Sequence, residues 1–278
     1  MKTLLIKTHE LWLEVLMAGF MSRTENRTKL YDFSGIIFRH FTWLEKYLIA
    51  TGETYDYDRD TIPVKVERLS VILDNISRRI TELDLQIISC PDAALAQRIT
   101  SDLKYIKATL AKMPDEEIRA FDTSRTLDGI ALTAEATDAL TLFLFEESYK
   151  EYELILIYNY LQAHSSDAFL NHIFQIMIDE SQFHLRSFGQ MMAEMGILGV
   201  PRTIHKSLYQ ITDVKQFLKD GIEEEKAAKE MCRELSDAVI KDSPELADFF
   251  DFINYQEDYH ISLMQDALTH YERLEIDG

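Results

Sequence analysis

The chain has 278 residues, with 29 Lys+Arg against 48 Asp+Glu, a formal net charge of −19 and a pI near 4.8. So acidic a chain repels phosphate backbones, which argues against broad non-specific nucleic-acid binding. A hydrophobic content of 46% can bury a core at this length, while only 9 glycines and 5 prolines favour long helices over short strands.

The N-terminal stretch MKTLLIKTHELWLEVL is apolar only in part. Lys7, His9, Glu10 and Glu14 interrupt it, so it does not read as a signal peptide. No other apolar run is long enough to span a bilayer. The expected location is cytoplasmic, with no membrane partner. Cys90 and Cys232 form neither a CxxC pair nor a zinc-finger spacing, and both read as small core residues.

Apolar residues recur at helical period almost throughout. Helices are expected at about 4–21, 31–50, 62–88 and 93–112. In the second of these, His40 shares a stripe with Phe33, Ile37, Leu44 and Tyr47 and reads as a satisfied core histidine. The acidic, aromatic run from Glu53 to Asp60 reads as a solvated loop. A polar connection at 113–125 follows, then helices at about 133–164, 166–195, 213–240 and 244–274. Ser165-Ser166-Asp167 and Thr212-Asp213 suit N-caps, and Ser243-Pro244 places proline at a first helical position. Gly196, Gly199 and Pro201 end one helix and open the segment GILGVPRTIHKSLYQ, long enough to cross between two helical hairpins. The expected fold class is therefore all-α: an N-terminal helical region over 1–125 and a four-helix bundle over 126–278.

The last four helices carry the chemistry. Glu257 and His260 stand three apart, on a face shared with Phe250, Ile253, Ile261, Met264 and Leu268. Glu180 lies on the stripe Ile173, Ile176, Met177 and Phe188, with His184 four residues on. Two hairpin sequences, LFEESYKEYELILIY and GIEEEKAAKEMCREL, overlay so that Glu147 falls on Glu224. This makes both expected ligands, with Glu151 the alternative on the first helix. Ionisable side chains on apolar faces are costly unless they are paired or hold a metal. Four carboxylates with two imidazoles suit iron or manganese. The expected metal set is Glu147, Glu180, His184, Glu224, Glu257 and His260. Tyr158, Tyr255 and Tyr259 fall near it.

This arrangement resembles the ferritin-like superfamily of di-iron carboxylate proteins, and the resemblance covers about half the chain. Glu257-Asp258-Tyr259-His260 matches its Glu-x-x-His motif as it stands, whereas Glu180 to His184 is longer by one residue. The resemblance implies a carboxylate-bridged pair of iron ions, or manganese or a mixed pair, acting as an oxidoreductase with O2 or peroxide and a small-molecule substrate. The alternative is a non-catalytic metal-binding or storage protein, or an all-helical interaction protein. A homodimer is compatible with either.

Overall fold

A computed structural model of the protein describes residues 1–62, 68–118 and 125–277. Among them are nine helices: α1 (Lys2–Met21), α2 (Thr24–Ala50), α3 (Leu69–Ile87), α4 (Ala93–Leu110), α5 (Ala134–His164), α6 (Ala168–Glu194), α7 (Lys206–Tyr209), α8 (Val214–Val239) and α9 (Pro244–Asp277). There is no strand among the described residues, only an isolated bridge between Leu127 and Ile130. None of these helices is long and apolar enough to cross a membrane. Residues 63–67 of the helix expected over 62–88, and residues 119–124 of the polar connection, lie outside the described residues.

Side-chain caps set several of the helix ends. Asp92, Thr133 and Asp213 accept from the backbone N–H groups of Leu95, Ala136 and Gln216, starting α4, α5 and α8. Asp167 accepts from Leu170 N at the start of α6, and the Ser243 hydroxyl accepts from Leu246 N ahead of α9. The α6 end closes as a Schellman motif, with Ile197 N donating to Met192 O and Gly196 N to Ala193 O. Gly196 takes φ +71 there, a conformation that glycine adopts without strain.

Two helix starts differ from expectation. α2 begins at Thr24 rather than near 31, because its first turns are polar and carry no apolar stripe. Asn26 of that stretch donates to Pro114 O, and Arg27 donates to Ser22 O and Glu194. α3 begins at Leu69 rather than near 62. Asp115, from the segment after α4, accepts from Ser70 N and pairs with Arg68, capping α3 from outside the helix.

The chain divides into two compact units, 1–123 with 189–206 and 124–188 with 207–278. The sequence expectation ran the second region unbroken from 126 to 278. In the first unit α1 packs beside α2 and α3, and α4 beside α3 and α2. In the second, α5 packs beside α8 and α8 beside α9. Side chains of α6 meet α5 through Gln162–Gln175 and meet α9 through Phe183–Phe252. Both units are thus four-helix bundles in which the helices follow the cyclic order first, second, fourth, third.

The core of the first unit is apolar along α4, where Ile99, Leu103, Ile106 and Leu110 are all buried. Its buried charges are answered by protein groups. Arg79 donates to Glu10 and Glu14, at 2.9 and 2.7 Å, and Lys7 also reaches Glu10. His40 is fully buried with Nε2 3.0 Å from Asp102, a core histidine as expected; burial outweighs Asp102 and lowers its pKa.

The run from Glu53 to Asp60 is not a solvated loop. Tyr55, Tyr57 and Arg59 are buried while Thr54, Asp56, Asp58 and Asp60 are exposed, the period-two alternation of an extended segment. Both tyrosine hydroxyls donate to the buried carboxylate of Glu45, and Arg59 donates to the carbonyls of Pro201 and Arg202.

Candidate metal centre

The second unit gathers its ionisable side chains at mid-bundle. On α5 the buried positions include Glu147, Glu151, Ile155, Tyr158 and Gln162, a stripe three or four residues apart. On α6, Ser181 and His184 point inward beside Met177, Leu185 and Phe188. On α9, Glu257 and His260 do so beside Ile253 and Met264. On α8 the buried stripe is Leu218, Ile222, Glu225, Ala228, Cys232 and Leu235. Glu225 is therefore the inward carboxylate of α8, and Glu224 is exposed.

Two clusters result. Glu151, His184 and Glu257 form one, and Glu225, Glu257 and His260 the other; within each, the candidate ligand atoms lie within 4.8 Å of one another. Glu257 belongs to both. His184 Nδ1 is 2.8 Å from Glu151 Oε1 and 4.0 Å from Glu257 Oε1. His260 Nδ1 is 2.9 Å from Glu257 Oε2 and 3.5 Å from Glu225 Oε2.

Each imidazole turns its other nitrogen outward. His260 Nε2 is 2.5 Å from Glu180, and His184 Nε2 is 3.2 Å from Gln256 Oε1. Glu180 and Gln256 each stand four residues before the histidine of their own helix, and each holds the histidine of the other helix. The match continues one residue on. Glu257 stands three before His260, while the corresponding place before His184 is Ser181. The α6 helix thus offers a hydroxyl where α9 offers a carboxylate.

The electrostatics follow from packing these groups together. Burial alone would lower His184, but Glu151 and Glu257 overcome it and raise its pKa to about 9. Burial likewise acts to lower His260, and its hydrogen bonds to Glu180, Glu225 and Glu257 lift it instead. Burial lifts Glu257, and its contact with Glu225 lifts it further. Burial would raise Glu225 as well, but the hydrogen bonds with Glu257 and His260 hold it below the usual carboxylate range. Burial, opposed in part by Lys150 and helped by Glu151, raises Glu147 to about 7. Cys232 is buried on the same α8 stripe, and burial pushes its thiol up.

Of the residues expected from sequence, the structure brings His184, Glu257 and His260 into the two clusters. Glu180 reaches the site through the outer nitrogen of His260. Glu147 is buried one turn before Glu151, with Oε1 unbonded; Glu151, the alternative, is the α5 carboxylate that meets His184. Glu224 stands in neither cluster. Glu225, Gln256 and Ser181 were missed. For Glu225 the signal was the phase of Ile222, Cys232 and Val239, which are buried where Phe217 and Met231 are not.

Fold and site together define a class of protein: a four-helix bundle with inward carboxylates and imidazoles grouped about a shared glutamate. Residues 144–274 match the family model of the ferritin-like domain. No match was found among curated proteins or solved structures.

Proposed function

We propose that the second unit holds two iron or manganese ions and acts as an oxidoreductase toward O2 or peroxide. The observation that carries this reading is the pair of clusters sharing Glu257. Glu151 and His184 would bind one ion, Glu225 and His260 the other, and Glu257 both. The donors fit: ligands each about 2.1 Å from one ion stand no more than about 4.2 Å apart. The separations of 2.8, 4.0, 2.9 and 3.5 Å given above all meet that limit. The charge fits as well, since Glu147, Glu151, Glu225 and Glu257 match two divalent ions. Carboxylate and imidazole donors suit these metals.

The remaining residues orient the donors. Glu180 accepts the outer N–H of His260 and the Gln256 carbonyl oxygen that of His184, which leaves both Nδ1 atoms as donors to the centre. Without metal, the imidazoles and the raised carboxylates keep protons that balance the buried charge. Bound ions would supply a redox couple and Lewis acidity. Hydrophobic side chains such as Phe143, Phe188 and Phe250, packed edge-on nearby, keep that end of the bundle dry.

The test is anaerobic loading with ferrous iron, followed by mixing with O2 or with peroxide in the presence of excess reductant. Repeated consumption of either oxidant is the expected result. Oxidation limited to the iron initially bound would indicate a non-catalytic metal-binding protein.

A further inference from the structure

The centre is reached by a cavity of about 440 Å³, bounded by α5, α8, α9, Ser181 of α6 and the segment 207–213. That is far more than metal ions and a water or two require, at about 30 Å³ per water, and it falls in the range of small-molecule sites, about 300–1,000 Å³. Part of its wall is apolar: Leu154, Ile157, Phe217 and Met264. Gly221, which also lines the cavity, lets α8 come close to α9, since a Cβ there would lie 3.0 Å from the sulfur of Met264.

Three buried polar groups line the cavity without a hydrogen-bond partner: the Tyr158 hydroxyl, the Ser181 hydroxyl and Glu147 Oε1. Tyr158 and Ser181 are each only 1% exposed. An orphaned polar group at such depth is costly, and a ligand that bonds it would remove the cost. All three oxygens can accept hydrogen bonds, and the two hydroxyls can also donate one each. Toward solvent the wall carries Asp220 and Glu224, both exposed, and the half-buried Glu153. Among the lining residues Lys150 is the only lysine or arginine, and it stands 3.9 Å from Glu147.

We infer that this cavity binds a small organic cation, a primary amine on an apolar body, as the substrate class of the proposed centre. An ammonium group brings three donors and no acceptor, and the Tyr158 and Ser181 hydroxyls can accept from it, while Glu147 lies about 16 Å from Tyr158 along α5 and adds charge rather than a third bond. Its charge suits the acidic approach, where a carboxylate or phosphate would meet like charge. Its carbon body fills the apolar wall, which an ion route would not need. The inference rests on the dinuclear reading, and the test keeps the two apart.

Manganese(II)-loaded protein, its metal content measured on the same sample, would be titrated calorimetrically with n-hexylammonium and with hexanoate. Hexylammonium should bind at least about tenfold more tightly, because the two probes differ mainly in the sign of their charge. Gly221→Leu, which fills the cavity, should abolish that binding and leave the metal in place. Tyr158→Phe removes only an unbonded hydroxyl, so it should fold normally and weaken hexylammonium binding severalfold. Equal or tighter hexanoate binding, or no binding of either probe to protein carrying two metals, would overturn the inference. So would an Asp220→Asn, Glu224→Gln variant with slowed manganese uptake and unchanged hexylammonium affinity, which would make the acidic wall an ion route. Failure to load manganese would count against the dinuclear reading instead. Hexylammonium binding to the metal-free protein, lost in Gly221→Leu, would then still support the cavity assignment.

Discussion

The two units share a helix order and differ in what answers their buried charge. In the first, Arg79 lies against Glu10 and Glu14, two tyrosines donate to Glu45, and Asp102 of α4 meets His40 beside a row of aliphatic side chains. In the second, several inward carboxylates face two imidazoles and an open cavity. A bundle of this connectivity therefore forms when its buried acids and imidazole are answered by neighbouring protein groups. The polar interior of the second unit is an addition that costs stability, and a function has to account for it.

The largest effect is expected at the shared carboxylate. Glu257→Gln should drop bound metal from about two ions per chain to less than one by elemental analysis, with helical circular dichroism unchanged. Next is the first unit's charge pair. Arg79→Met leaves the buried Glu10 with Lys7 alone, removes the ion pair of the largely buried Glu14, and should cost about 3–5 kcal/mol in urea unfolding. Metal content of the folded fraction should not change; a cost below about 0.5 kcal/mol would show that Arg79 does not compensate those acids.

Glu180→Gln separates a ligand from a residue that orients one. If Glu180 only holds His260 Nε2, metal affinity should fall about 10–100-fold while two ions still bind at saturation. Loss of one ion outright would make Glu180 a direct ligand, as the sequence expectation had it.

The smallest effect is on pH dependence. His184 is raised from 6.5 to about 9 in the metal-free protein. Its stabilising contribution is complete below pH 6.5 and is lost as pH rises through about 9. The melting temperature of metal-free protein should fall across that window, and metal-loaded protein should not show the fall. Metal binding should release protons and tighten as pH rises toward 9.

Legibility in the sequence followed the contrast between neighbouring positions. α9 was plain because Glu257 and His260 sit on a strongly apolar face at one fixed spacing. α8 was not, because three consecutive glutamates and two alanines blur the stripe, and an error of one residue turns the face by about 100°. On α5, Glu147 and Glu151 share a face, so sequence could not rank them; the contact with His184 does. Ser181 gave no signal at all, since a serine draws attention only when the matching glutamate on α9 is known to touch the same centre. The first unit's bundle was hidden for the opposite reason. Its buried polar residues, Glu10, His40 and Glu45 among them, form no paired motif in the sequence, and what the two units repeat is connectivity, which apolar periodicity does not encode.

The most direct measurement is metal per chain, by elemental analysis of protein loaded with iron or manganese and stripped of loosely held ions. Close to two ions per chain are expected for the native sequence, falling below one in Glu257→Gln. Near zero in the native protein after loading would contradict the dinuclear reading, and so would two ions retained by the variant.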